Sequence, residues 1–375
     1  MKKWLRSISL SMAAVLTLTA CGAGGDTGGD TTAPEPAEDA PDTEEATETD
    51  FSVAMVTDVG GIDDRSFNQS AWEGLTEFGQ DFGLEEGVGY RYLQSSTTAD
   101  FEPNLRNLVR EDADLIWGIG YLMEDAVRTI AEQVEDAQLA IVDSVVVDGE
   151  GNTYPNVANV TFKEHQGSFL VGVAAGLQTE GNKVGFIGGV EGALIKKFEN
   201  GFKAGVKAVN PDAEIIVQYA ESFNDSTRGQ QIANTMYSQG ADIIYHASGG
   251  TGNGLFTEAI NRARNGEAVW AIGVDRDQYE EGAYGDNQSV TLTSMIKRVD
   301  RAVYLVSDRT LNGDFPGGEV LEYGLEEDAV GISPSTDNMS EEALQAVEEY
   351  EAKIQDGEIT VPQTDEEYED FLETL

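Results

Sequence analysis

Side chains suited to holding a small polar molecule recur in this sequence at one kind of place, directly after a short apolar run. Asp58 follows VAMVT, Gly118 to Tyr121 follow DLIW, and Asp143 follows LAIV. Gly188-Gly189 follow VGFI, Ser248-Gly249-Gly250 follow DIIYHA, and Asp275 follows AIGV. Carboxylates accept hydrogen bonds from hydroxyls and amines, so the set describes a cleft with polar groups on both walls. Taken singly, each Asp serves equally well as a turn residue or helix cap. Two phenylalanines share a context: Phe67-Asn-Gln-Ser-Ala-Trp-Glu-Gly74-Leu75 and Phe198-Glu-Asn-Gly-Phe-Lys-Ala-Gly205-Val206. As a repeat, they put aromatic faces on opposite walls, suited to clamping a flat ring. As helix-entry residues, they pack on their own cores.

The residues for bond-making chemistry are not assembled. No Ser/His/Asp set carries a nucleophile elbow, and His165 and His246 stand alone. Asp63-Asp64 lacks the downstream ligands of a calcium loop. Ser248 to Gly254 (SGGTGNG) lacks the Gly-Lys-Ser/Thr ending of a phosphate loop, and Gly185 to Gly192 misses the G-x-G-x-x-G spacing. The chain reads as a binding protein, not an enzyme, with no cofactor and no metal.

Ligands bind beyond the carboxyl ends of strands in open α/β sheets, and the elements fit that scheme. Apolar runs at Ser52–Thr57, Tyr90–Gln94, Asp114–Ile119, Leu139–Val142, Lys183–Ile187, Glu214–Tyr219, Asp242–His246 and Val269–Val274 predict strands. Amphipathic stretches at Asn68–Phe78, Glu102–Val109, Glu124–Gln133, Ile195–Val209, Ser226–Ser238 and Gly254–Arg264 predict the helices between them. Such alternation means parallel sheets covered by helices. The apolar segment His165–Gln178 ends one series and Lys183 starts another. Two doubly wound lobes with a hinge and an interlobe cleft follow, within residues 51–335. The first lobe takes about 51–165 and the second about 180–290. Ser289–Met295 and Glu319–Tyr323 are expected to return to the first lobe. In the acidic segment 336–375, Leu344, Val347 and Ile354 line one face of a surface helix.

Residues 1–20 have signal-peptide proportions: Lys2, Lys3 and Arg6, then an apolar stretch too short to span a bilayer. They end in Leu18-Thr19-Ala20-Cys21, a lipoprotein cleavage box. This predicts a lipidated Cys21, the chain's single cysteine, and a lipid anchor on the extracytoplasmic face of the cell membrane. Residues 22–50 hold ten acidic residues and no basic or aromatic ones, the composition of a disordered tether. Over all 375 residues, 69 Asp and Glu against 23 Lys and Arg give a formal net charge of −46. That excludes nucleic acid as a partner, since phosphate backbones need clustered cations.

Long motifs, in order, point to a family. VAMVTDVGGIDDRSFNQSAWEGL, GFIGGVEGALIKKFENGFKAGVKAVNP, SFNDSTRGQQIANTMYSQGADIIYHASGGTGNGLF and LTSMIKRVD resemble the basic membrane protein family. Its members are bacterial lipoproteins acting as substrate-binding components of ABC importers, purine nucleoside receptors among them. The resemblance implies a type I periplasmic-binding-protein fold, a nucleoside ligand, an ABC permease partner and a monomer. On matching positions it implies Phe67 and Phe198 against the base, with Asn68 and Asp125 near its polar edge. Asp58 would support the first lobe's contacts, and Gly250, Asp275 and Lys297 would surround the ribose. Tyr121 stands where relatives often have Phe. Riboflavin-like or sugar-like ligands, and a surface sensor, remain the alternatives, because fold alone does not name a substrate.

Overall fold

Short apolar runs, the central ones wholly or almost wholly buried, build two parallel sheets. The structure is a computed structural model that describes residues 50–375. The signal segment, Cys21 and almost all of the tether therefore lie outside the described residues. The chain runs β1 (Val53–Val56), α1 (Phe67–Asp81), β2 (Tyr90–Leu93), α2 (Phe101–Arg110), β3 (Leu115–Ile119), α3 (Glu124–Gln133), β4 (Leu139–Val142), β5 (Val157–Phe162) and α4 (Glu164–Gln178). It continues through β6 (Lys183–Gly188), α5 (Ala193–Val209), β7 (Glu214–Tyr219), α6 (Ser226–Ser238), β8 (Ile243–Ala247), α7 (Asn253–Arg264) and β9 (Trp270–Asp275). A small hairpin, β10 (Ala283–Gly285) and β11 (Gln288–Ser289), precedes β12 (Thr291–Lys297) and α8 (Val299–Leu311). Last come β13 (Val320–Tyr323), β14 (Val330–Ile332), α9 (Glu341–Gln355) and α10 (Asp365–Leu372).

The first sheet has the order β13-β5-β4-β3-β1-β2 and the second β14-β12-β9-β8-β6-β7. Only β14 runs antiparallel to its neighbour in these sheets. Strands β1, β3, β4 and β8 are buried at every position, the pattern of a parallel sheet covered on both faces. The architecture is the two-lobed doubly wound fold expected. One expectation is overturned: Ser289–Met295 does not return to the first lobe. β12 instead pairs with β9 in the second sheet, because the link between them is a hairpin on the same lobe. Val320–Tyr323 does return, pairing with β5. β5 and β14 are additional strands that the sequence reading did not single out.

The chain crosses between sheets after Phe162, after Lys297 and after Tyr323. At the first two crossings the linking residues share one backbone shape, Lys163 at φ −91, ψ 62 and Arg298 at φ −78, ψ 59, close to an inverse γ-turn. The helices that follow change lobes: α4 packs on α5, β12 and β14, and α8 packs on α1. Trp117 in β3 donates to the Ser307 hydroxyl of α8 at 3.2 Å. The Phe-to-Gly repeat lies at these contacts. A Cβ on Gly74 would collide with the carbonyl oxygen of Asp300 in α8, and one on Gly205 with that of Phe169 in α4. The two glycines thus do the same work in the two halves. The C-terminal helices close over the second lobe: the Tyr350 ring of α9 packs tilted against Phe169 at 5.5 Å, and Lys203 of α5 lies 4.1 Å from the Tyr368 ring of α10.

Gly205→Ala should lower the unfolding free energy by roughly 1–3 kcal/mol, since backbone oxygen cannot step aside for the methyl group. Gly149→Ala, whose Cβ meets nothing within 4 Å, should leave it nearly unchanged. Thermal or urea unfolding of the two variants compares them directly.

Candidate functional site

Between the carboxyl ends of the two sheets lies a narrow cavity, with about 50 Å³ open to the centre of a water molecule, at the place where open α/β sheets bind ligands. Its first wall is set by the loop between β1 and α1. The Asp64 carboxylate accepts from the backbone N–H of Ser66 (2.9 Å), Asn68 (2.9 Å) and Gln69 (3.1 Å). It thereby caps α1 and aims Phe67 and Asn68 at the cavity. Asn68 Nδ2 donates to Asp58 Oδ1 at 2.8 Å and to Asp64 Oδ2 at 2.9 Å, while its Oδ1 accepts from Asp58 N–H at 3.2 Å. Both amide protons are committed, so Asn68 fixes the Asp58 carboxylate and has no donor left for a ligand. Gly120 and Tyr121, after β3, complete this wall.

The second wall holds Phe198, Phe223, Ser248, Gly249 and Asp275. Asp275 ends β9 in the left-handed region (φ 68°), as Asp143 does at the end of β4 (φ 68°). At the hinge, the buried Lys297 ammonium lies 2.6 Å from Asp143 and 3.2 Å from Glu164. It also lies 5.1 to 5.5 Å from the ring centres of Phe162, Phe67 and Phe198. One cation therefore touches the crossing strands, both lobes and both cavity phenylalanines.

Burial dominates the electrostatics. It pushes Asp58 up to about 6 and Asp275 to about 7, from 3.8, because a carboxylate loses hydration there. Burial opposes the Lys297 charge, but Asp143, Glu164 and Asp275 outweigh it and hold the ammonium protonated. Burial raises Asp143, with Lys297 offsetting only part of the rise. For Glu164, Lys297 and Lys197 together outweigh burial and hold the carboxyl below its ordinary range.

Of the residues singled out from sequence, Asp58, Phe67, Asn68, Tyr121, Phe198, Asp275 and Lys297 line the cavity. Two others do not. Asp125 sits in the first turn of α3 with its side chain 92 % exposed, paired with Arg128 at 2.6 Å. A short 3₁₀ turn at Tyr121–Met123 brings the chain into that helix with Asp125 facing away from the cleft. Gly250 is buried one residue beyond the lining Ser248-Gly249 edge. Sequence reasoning left out Phe223 and treated Asp63-Asp64 only as a calcium signal. It noted Asp143 as a strand end without assigning it to the site. His165 and His246 are buried, and desolvation lowers both to about 4. Among the described residues, no group of three or more His, Cys, Asp or Glu could hold a metal ion.

Comparison with known proteins agrees with the fold. The Bmp family model, described as "ABC transporter substrate-binding protein PnrA-like", matches residues 51–365. A "CD4+ T-cell-stimulating antigen" of Listeria innocua is 52% identical over 97% of this chain and 99% of its own length. The "ABC transporter nucleoside-binding protein BmpA" of Lactococcus lactis is 40% identical over 86% of this chain and 92% of its own. Among solved structures, an ABC transporter solute-binding protein from Aeropyrum pernix superposes with a TM-score of 0.74 at 27% identity, covering 86% of this chain and 96% of that one.

The raised carboxyls make a pH prediction for the unliganded protein. Asp275 binds its proton more tightly folded than unfolded, so its stabilisation is complete below pH 3.8 and lost as pH rises through about 7. Asp58 acts alike through about 6, whereas the two histidines act oppositely between about 4 and 6.5. Above about pH 6.5 the Asp275 contribution stands out. Melting temperature should fall from there to about pH 8, and Asp275→Asn should flatten the fall. Parallel slopes would mean the carboxyl is ionised throughout.

Proposed function

The chain belongs to the Bmp family of PnrA-like ABC transporter substrate-binding proteins, and from that premise we propose that its cleft captures a nucleoside, purine nucleosides foremost, for delivery to the permease. The observation that carries this reading is the pairing of Phe67 and Phe198, from opposite lobes, on one cavity whose lining includes four carboxylates. A base stacked on an aromatic face gains roughly 1–3 kcal/mol whatever its identity. Ribose offers vicinal hydroxyls that donate to a carboxylate such as Asp275. Asp58, Asp64, Asp143 and Asp275 line the cavity with a single lysine already shared by Asp143 and Glu164, so a phosphate would meet uncompensated negative charge. The name of the Lactococcus relative supports the same ligand class. Function then lies in closure: a ligand bridging both walls stabilises the closed form, and that form docks on the permease. No bond is broken.

We place the protein outside the cytoplasmic membrane, held by lipid on Cys21. No helix of the described residues is long and apolar enough to cross a membrane, and two or three acyl chains on Cys21 would give stable anchoring. Cys21→Ser should abolish incorporation of a labelled fatty acid while leaving the folded part intact. Labelling that persists in the variant would refute the anchor.

For the ligand, calorimetry at fixed salt should show adenosine and guanosine binding far more tightly than their monophosphates. Phe198→Ala should weaken nucleosides by roughly 1–3 kcal/mol. Asp275→Asn should weaken ribosides more than free bases, because only ribosides lose the charge-assisted bonds. Unchanged nucleoside affinity in both variants would end this reading.

A further inference from the structure

The two lobes touch directly across the mouth of the cleft, and most of those contacts bypass the cavity. Three side-chain amides of the second lobe donate to main-chain carbonyls of the loop between β1 and α1. Asn224 Nδ2 reaches the Val59 oxygen at 3.0 Å, Asn253 Nδ2 the Asp64 oxygen at 3.1 Å, and Gln278 Nε2 the Arg65 oxygen at 2.9 Å. Both partners are held rigid before they meet. On the first lobe, Asp58 and Asp64 take up the N–H groups of Gly60, Ser66, Asn68 and Gln69. Arg65 is held in the left-handed region at φ 61°, a conformation that persists only where surroundings enforce it.

On the second lobe, the buried Gln278 Oε1 accepts from the Val274 N–H at 2.8 Å and faces His246 Nε2 at 3.0 Å. The neutral imidazole donates there, which fixes the amide with its N–H pointing across the cleft. Asn253 Oδ1 is buried without a partner, so the hydrogen bond from that amide to the other lobe is its only one. Two ion pairs also cross the cleft, Arg65 to Glu281 at 3.2 Å and Arg276 to Glu73 at 2.7 Å. Each joins a largely buried partner to a more exposed one, and the Arg276–Glu73 pair is bidentate, at 3.0 and 2.7 Å, so it adds to the same closure.

We infer that Asn224, Asn253 and Gln278 form a latch that sets how much of the unliganded protein is already closed, and so scales affinity for every ligand without selecting among them. They are positioning residues: none of the three lines the cavity. Apparent affinity falls in proportion to the closed fraction, so loosening the latch weakens all ligands by one common factor. Contacts inside the cavity behave differently, because they discriminate. Backbone carbonyls suit this task, since they are present whatever side chains the loop carries.

The inference rests on capture by closure, as proposed above, but not on which ligand is captured. The test uses the full chain with fluorophores on non-natural residues at the exposed Asn107 and Gln231, one on each lobe. The variant is Asn224→Ala with Asn253→Ala; Gln278 stays, because it also holds Val274 and His246. Energy transfer in the absence of ligand should report a longer interlobe distance in the variant, and saturating adenosine should restore the short one. Affinities for adenosine and guanosine should fall together, roughly fivefold to a hundredfold. An unliganded distance that stays short, with or without a lowered melting temperature, would overturn the latch. So would losses that differ between the two nucleosides. If neither nucleoside binds the parent chain, the nucleoside reading fails, while the unliganded distance still decides the latch.

Discussion

A single ammonium group, buried where the chain passes from one sheet to the other, ties the two halves together. Lys297 ends β12 in the second sheet, Asp143 follows β4 in the first, and Glu164 opens the helix that leaves β5. Taking such charges out of water is expensive, and removing one partner of a buried pair typically costs about 3–5 kcal/mol. The three groups must therefore stay together, which fixes the register of two of the three crossings. The same cation lies against Phe67, Phe162 and Phe198, so the hinge and the aromatic walls share one anchor. On the proposed reading, a ligand between Phe67 and Phe198 would lie beside that anchor.

The two halves are variations on one plan. Their sheets have equivalent strand orders, each extended at one edge by a late strand. Each half lends the other a helix, α4 to the second lobe and α8 to the first, received over Gly205 and Gly74 respectively. Asp143 and Asp275 end corresponding strands with the same φ of 68°. From this near-symmetry the site gains its asymmetry: Asp143 is absorbed into the hinge by Lys297, whereas Asp275 accepts only the Ser66 hydroxyl from the other lobe. One carboxylate of the pair became structural and its counterpart kept an open face.

Much of this was legible in the sequence, because strand ends are both chemically and topologically marked. Alternating apolar runs gave the two lobes, and the polar residues after them gave most of the cavity's polar lining. The Phe-to-Gly repeat, ambiguous as a pattern, has both meanings at once: the phenylalanines line the cavity and also pack on the core, while the glycines receive the exchanged helices. What escaped depends on long-range geometry. Asp125 follows the right strand, but the turn before α3 directs it to solvent. The partnership of Lys297 with Asp143 spans 154 positions and has no local signal. β12 reads like any returning strand until its pairing with β9 is seen.

The acidity of the cavity finds its reason in the way the lobes meet. Closing on empty space leaves Asp58 and Asp275 with few donors, and burial answers by raising their affinity for protons. A ligand rich in hydroxyl and amino groups brings donors in place of those protons, so that the carboxylates can be buried and ionised together. On the proposed reading, stacking surfaces would supply affinity indifferent to the identity of the ring, and the carboxylates would reject anions of similar shape. Closure is then favoured most by a neutral, flat, donor-rich molecule. On that reading the buried ion cluster would serve as the hinge, bringing both walls to the ligand as the lobes close.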